Sequence, residues 1–258
     1  MKTALIGYTG FVGNNLVLQH SFNELYNSKN ITNSYDNEFD IVICAAPGAV
    51  KWLANKEPEK DLAMINTLIK SIKPIKTNLF IQISTIDVYK QPVNVNEETF
   101  IETEGLHSYG KHRYYLECFV KENFKNSLII RLPGLFGEGI KKNLIFDLLN
   151  TYKSDFTHMD SIFQLYDLAN LWKDISIAIK NNIKVLNIAT EPITTKEIAK
   201  KCFNLDFQNV TPNPPANYNI HSKYGKIFGK NNDFLYTKDE VIQDLKEFIN
   251  LYKSKNHK

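Results

Sequence analysis

Along the first half of the chain, short apolar runs alternate with segments whose apolar residues recur at helical spacing. Residues 3–6, 40–46, 79–84 and 127–132 read as strands, and 11–20, 59–72 and 113–123 as helices. The strand candidates hardly alternate between apolar and polar, which is the pattern of strands covered on both faces. Strands of that kind separated by helices predict an α/β fold with a parallel sheet, and right-handed crossovers make it doubly wound.

Past Pro133 the texture changes. Residues 144–149 and 168–179 read as helices, and 184–188 as one further strand. Thr194 or Thr195 is placed to cap a helix running to Cys202. Residues 209–219 hold three prolines and four asparagines and read as a loop. An amphipathic helix over 240–251, with Val241, Leu245, Phe248 and Ile249 on one face, ends the pattern. This predicts a dinucleotide-binding type of domain over 1–155 and a small mixed C-terminal substrate lobe over 156–258, with 184–188 returning to the main sheet.

Composition narrows the class. The 258 residues carry 31 lysines and arginines against 28 acids, a net charge of +3 with no basic arm, so no nucleic-acid partner is expected. No apolar run reaches the ~18 residues of a membrane span, and the start is too soon broken by Gly7 for a signal peptide. The three cysteines, Cys44, Cys118 and Cys202, are widely spaced. Their odd count points to a reducing cytoplasm, and their spacing to no metal site.

The chemistry begins at Gly7-Tyr8-Thr9-Gly10-Phe11-Val12-Gly13, directly after the first strand and opening the first helix. Gly7 makes the tight turn, Gly10 admits a pyrophosphate to the backbone, and Gly13 lets helix and sheet pack closely. The helix N-terminus, with Thr9, Phe11 and Val12 around it, offers N–H groups and a positive dipole end. This is the Rossmann-type turn for NAD or NADP; the alternative is a strand-to-helix turn without a ligand. No acid stands where the second strand ends. Asn27, Ser28 and Lys29 there suit a 2′-phosphate, which leans toward NADP, unless Lys29 is simply a solvated loop lysine.

Five further segments, in order along the chain, resemble the extended short-chain dehydrogenase/reductase family of nucleotide-sugar epimerases, dehydratases and 4-ketoreductases. They are Cys44-Ala45-Ala46-Pro47, Ile83-Ser84-Thr85-Ile86-Asp87-Val88-Tyr89, Tyr109-Gly110-Lys111-His112-Arg113 through Glu117, Arg131-Leu132-Pro133-Gly134-Leu135-Phe136-Gly137, and Leu165-Tyr166-Asp167-Leu168-Ala169. The resemblance implies that Ala45, Ala46, Ser84 and Pro133 line the cofactor. It makes Tyr109 the acid/base, with Thr85 on the same substrate oxygen. A phenol near pKa ~10 needs a cation beside it to work at neutral pH. The family places a lysine four residues beyond its tyrosine, holding the nicotinamide ribose as well. Here that position is Arg113, a wider and planar donor that could pair with a carboxylate instead.

The resemblance also bears on substrate. Thr85 is followed by Ile86-Asp87, so only one carboxylate of the dehydratase pair is present. Asp87, Lys142 and Asn143 are the substrate-side candidates, Asn143 falling near the family's asparagine on the nucleotide diphosphate. The arginine often found before the Val-x-Asp segment is absent, its position being Asp160. His221, Lys223, Lys226 and Lys230 are either substitutes for its charge or a solvated surface. His107 and His112 read as surface histidines. The implied function is an NAD(P)-dependent reductase of a 4-keto sugar nucleotide, or an epimerase, working as a cytoplasmic and homodimeric enzyme. The alternative is a catalytically impaired dinucleotide-binding protein with a regulatory or partner-binding role.

Overall fold

The computed structural model describes residues 1–150 and 156–256. In chain order the elements begin β1 (Thr3–Ile6), α1 (Phe11–Gln19), β2 (Glu24–Tyr26), β3 (Glu38–Cys44), α2 (Lys51–Lys56), α3 (Pro58–Ile72) and β4 (Lys76–Thr85). They continue β5 (Val93–Val95), α4 (Ser108–Asn123), β6 (Ser127–Leu132), β7 (Gly134–Phe136) and α5 (Leu144–Leu149). Next come β8 (Ile162–Phe163), β9 (Leu165–Asp167), α6 (Leu171–Lys180), β10 (Val185–Asn187) and β11 (Ile193–Thr194). The last are α7 (Thr195–Phe203), β12 (Asn219–Ile220) and α8 (Lys238–Asn256).

Two compact units emerge. The first comprises Met1–Gln91, Glu98–Leu132 and Leu171–Asn187. It contains a six-stranded, all-parallel sheet in the order β10-β6-β4-β3-β1-β2. The apolar runs are buried as their lack of alternation requires: Ala4, Leu5, Val42, Ile43, Phe80, Ile81, Ile129 and Ile130 are all but inaccessible. On one face Phe80 stacks on Phe124 of the chain leaving α4, with ring centroids 4.1 Å apart. The order has the six strands of the common dinucleotide-binding arrangement but spreads them differently, with one strand rather than two beyond β1 on the β2 side and four on the other. Between β2 and β3 the chain makes only a 3-10 turn, Ile31–Ser34, in place of a helix and a strand. The strand order still reverses at β1, so the switch point lies between the carboxyl ends of β1 and β3.

Local signals explain most helix starts. Pro58 opens α3 with Glu59 and Asp61 in its first turn, favourable near the positive dipole end. Thr194 caps α7 in a reciprocal box with Glu197. Two helices depart from the pattern expected of them. The helix expected over 113–123 starts at Ser108, because the His107 ring accepts the Gly110 N–H at 3.1 Å and so caps it. The six-residue α2 has no apolar stripe, only Ala54 of it being buried, and periodicity gives no sign of it.

The second unit comprises Pro92–Glu97, Pro133–Asn170 and Ile188–Lys258. It is built from paired short strands, β7 with β9, β8 with β11 and β5 with β12, and from α5, α7 and α8. The buried Gln164 side chain staples it, donating to the Thr190 and Ile220 carbonyls and accepting the Ile220 N–H. The boundary expected at residue 155 lies outside the described residues. No helix among the described residues is long and apolar enough to cross a membrane.

Candidate active site

The glycine turn sits at the switch point. Gly7 has φ +85°, the left-handed region, and its N–H donates to the Tyr26 carbonyl at 2.8 Å. A Cβ at Gly7 would stand 3.1 Å from the backbone of Ala45 and Ala46, and one at Gly13 only 2.1 Å from the Gly7 carbonyl oxygen. Gly10 caps α1 with no side-chain hydrogen bond, so the first N–H groups of the helix face outward without a side-chain acceptor. The close approach of Gly7 to Ala45-Ala46, the uncapped helix start and the exposed Thr9 fit a dinucleotide pyrophosphate. Beyond β2, Asn27 takes part in its own turn, receiving the Lys29 N–H at 2.8 Å, while Ser28 and Lys29 are exposed.

The segment after β3 leads from the glycine turn to the acid/base candidate. The Gly48 carbonyl accepts Nη2 of Arg113 at 3.0 Å. Arg113 lies face-on over Tyr109, its guanidinium carbon 4.1 Å from the ring centroid. Tyr109 is buried, with the Thr85 side chain acting on its phenol, and its N–H is held by Asn55 Oδ1 at 2.9 Å. A Cβ at Gly110 would lie 2.0 Å from the Asp87 carbonyl oxygen, so α4 meets the turn after β4 backbone to backbone. In that turn Thr85 Oγ1 accepts the Asp87 N–H at 3.1 Å. The structure therefore brings Tyr109, Thr85, Arg113 and Asp87 together.

Two findings were hidden from the sequence. Arg113 is paired: Nη1 lies 2.5 Å from Asp61 Oδ2 on α3, both side chains about nine-tenths buried or more. His112 Nδ1 lies 2.7 Å from the same oxygen. His112 is thus buried rather than on the surface, because Asp61 supplies the partner that makes its burial tolerable. The second finding is Lys51, at the start of α2, whose Nζ donates to Asp87 Oδ1 at 2.7 Å. The Asp87 carboxylate, one of the substrate-side candidates, thus takes an ammonium.

These charges set the proton affinities of the site. Burial holds the Tyr109 phenol above its ordinary value; Arg113, the Thr85 side chain and Lys51 act downward, and Asp87 upward. Burial and then Lys51 depress His107, with Asp87 opposing. Cys44, buried at the end of β3, is pushed up to about 12, which suits a packing role.

Other motif residues serve as scaffold. Ser84 Oγ donates to Glu117 Oε1 at 2.6 Å, and Glu117 takes Arg131 through both oxygens, at 3.0 and 2.6 Å. Arg131 Nη1 reaches the Tyr89 hydroxyl at 2.8 Å, which also accepts from Asn187 Nδ2 at 2.9 Å. Pro133, Lys142 and Asn143 belong to the second unit. There Asn143 is a helix cap: its Oδ1 accepts the Ile145 and Phe146 N–H groups and its Nδ2 donates to the Leu135 carbonyl. Asp160 pairs with Lys196 at 2.9 Å, and Lys230 pairs with Glu240. No group of three metal-ligand side chains occurs among the described residues.

The sequence matches no protein-family model and no curated protein. Solved structures do match. A dTDP-4-dehydrorhamnose reductase from Clostridium acetobutylicum superposes with TM-score 0.75 at 16% identity, covering 98% of this chain and 100% of that one. The Bacillus anthracis dTDP-4-dehydrorhamnose reductase in complex with NADP gives 0.75 at 17%, covering 97% and 99%. The Thermotoga maritima UDP-glucose 4-epimerase with UDP-glucose gives 0.71 at 15%, covering 99% and 99%. The chain shares their fold. The match runs through nearly the whole of this chain.

Proposed function

We propose that the chain is an NAD(P)-dependent oxidoreductase acting on a sugar nucleotide, foremost a 4-keto sugar reductase, with an epimerase as the close variant. The observation that carries this reading is the buried Tyr109 ring under the Arg113 guanidinium, with Thr85 acting on its phenol, in the same unit as the glycine turn. A bound nicotinamide dinucleotide supplies the hydride. Its pyrophosphate is assigned to Gly7, Gly10, Phe11, Val12 and Gly13, with Ala45 and Ala46 closing the cleft beside Gly7. Asn27, Ser28 and Lys29 are the residues for a 2′-phosphate, which favours NADP.

The chain's own residues then handle the proton. Burial keeps the Tyr109 phenol protonated at neutral pH, which is the form that can donate to a carbonyl oxygen. Thr85 orients that hydrogen bond, and Arg113 stabilises the phenolate left after transfer. Asn143, with its Oδ1 capping α5 and its Nδ2 on the Leu135 carbonyl, contributes shape rather than a free amide; Lys142 is the substrate-side cation nearest it in sequence.

The paired state of Arg113 favours a second reading. With its fork on Asp61 and Gly48, this arginine holds protein rather than ribose, as in a dinucleotide-binding protein without turnover. Calorimetric titration with NADPH, NADH and a panel of nucleoside diphosphates, followed by NADPH oxidation with nucleoside-diphosphate 4-keto sugars, separates the two. The enzyme binds NADPH and one nucleotide, and Tyr109→Phe lowers its turnover by about 10²–10⁴ without loss of NADPH affinity. Binding without Tyr109-dependent turnover establishes the second reading. Absence of dinucleotide binding refutes both.

A further inference from the structure

After β3 the chain passes beside the glycine turn, and its carbonyls are held there by side chains of other elements. The Ala46 carbonyl accepts Nε2 of Gln82 at 2.9 Å, and the Gly48 carbonyl accepts Nη2 of Arg113 at 3.0 Å. Arg113 is in turn fixed by Asp61. The Ala45 N–H donates to the Ile6 carbonyl at 2.9 Å, which ties the segment to β1. All of these residues belong to the first unit. The fit against the turn is close, since a Cβ at Gly7 would lie 3.1 Å from the Ala45 carbonyl carbon and from the Ala46 nitrogen. A small shift of the segment therefore changes the surface that the turn presents.

Gln82 is an unusual residue for its place. It stands inside β4, opposite Cys44 in register, and is 1% exposed. Phe80, two residues earlier and so on the same face, belongs to an apolar cluster with Val42, Cys44 and Leu116. Besides the Ala46 carbonyl, Nε2 reaches the carbonyls of Cys44 at 3.3 Å and Ile83 at 2.7 Å. Two amide hydrogens thus serve three acceptors, while Oε1 is buried with no hydrogen-bond partner among the described residues. Leaving that oxygen unmatched is unfavourable, and an apolar side chain would fill the place without it. What the amide secures is the course of the backbone after β3. The only other donor to the Ala46 carbonyl among the described residues is the Cys44 thiol, a weak one, with Sγ at 3.7 Å.

We propose that Gln82 is a positioning residue for the dinucleotide: by holding the Cys44 and Ala46 carbonyls it fixes the wall that Ala45 and Ala46 form beside Gly7. The assignment rests on the reading of the glycine turn as a dinucleotide site. Arg113 holds the far end of the same segment at Gly48, so this arginine serves the site through the backbone. A wall already in place lets the cofactor bind without having to order it. Affinity then falls with the fraction of molecules in which the wall stands elsewhere. Without the Gln82 amide the Ala46 carbonyl keeps only the weak thiol donor, and the segment is no longer confined to one position.

The test uses the full chain, with Gln82→Met and Gln82→Leu beside the wild type, and Ile72→Val in the buried core of α3 as a control for stability alone. Both Gln82 variants keep the bulk and remove the donor. The carbonyl-carbon resonance of Ala46 is followed in the cofactor-free protein, and affinity for NADPH and NADH is measured by calorimetry at a temperature where every variant is folded. The resonance is expected to move upfield in both Gln82 variants and to stay in place in Ile72→Val. The Kd of the preferred dinucleotide is expected to rise about tenfold in both Gln82 variants and to be unchanged in Ile72→Val. If the resonance stays, if the Kd is unchanged, or if Ile72→Val weakens binding as much, Gln82 only fills the core and the proposal is overturned, while the dinucleotide reading stands. Failure of both Gln82 variants to fold overturns it as well, since Gln82 then belongs to the fold itself. If the wild type binds neither dinucleotide, the dinucleotide reading falls and the role of Gln82 falls with it.

Discussion

Asp61 shows how much one carboxylate can decide. It lies on α3, far in sequence from α4, yet one of its oxygens meets both Arg113 and His112. Replacing a single partner of a buried pair leaves a charge without compensation. Asp61→Asn is therefore expected to lower stability by about 3 kcal/mol, read from urea midpoints, and to free Arg113 from its place over the Tyr109 ring. Nothing in the sequence pattern announces this contact, because it joins two helices through their buried polar faces. Lys51–Asp87 escapes a sequence reading for the same reason. What the sequence does show are the motif letters, though their meaning divides. Tyr109, Thr85 and Gly7 stand in the first unit, while Ser84, Tyr89, Glu117 and Arg131 form one polar network there.

Among the elements, the long apolar strands are the most legible, since burial on both faces leaves nothing to alternate. The failures are short or unusually capped. The only buried residue of α2 is Ala54, and Trp52 and Leu53 are exposed, so a reader of periodicity finds no stripe there. α4 begins at a histidine cap, outside the Ser, Thr, Asp and Asn set that marks helix starts. That helix start is nonetheless critical, because Gly110 lets α4 press against the turn carrying Thr85 and Asp87. Gly110→Ala puts a methyl group onto a backbone carbonyl and must part the two elements. A stability loss of about 1–3 kcal/mol is expected from denaturant midpoints, together with loss of Tyr109-dependent turnover while NADPH still binds.

For the whole molecule, the clearest pH lever lies in the second unit. Burial, with Asp244 and Glu247 of α8 adding to it, raises Asp167 from 3.8 to about 6. A carboxyl raised in the folded state binds more protons than the unfolded chain between those values, so stability falls as pH rises from about 4 to about 6 and then levels. Asp167→Asn keeps an oxygen to accept the Ala169 N–H, made at 2.8 Å by Asp167. The variant should match the wild type near pH 4 and exceed it by about 2 kcal/mol at pH 7, read from thermal melts at the two pH values.

The sheet also has a consequence for how copies of this chain meet one another. Strand β4, inside the sheet, is ten residues long, but the two edge strands, β2 and β10, are three residues each. A margin so short presents few unpaired amides and carbonyls to a foreign strand, which is a common protection against sheet-to-sheet accretion. The long strands, rich in Ile, Val and Phe, are shielded between neighbours while the fold is intact. Fibre-like association therefore requires the margin to peel away first, and its rate on mild heating should follow the opening of β2 or β10 rather than protein concentration alone.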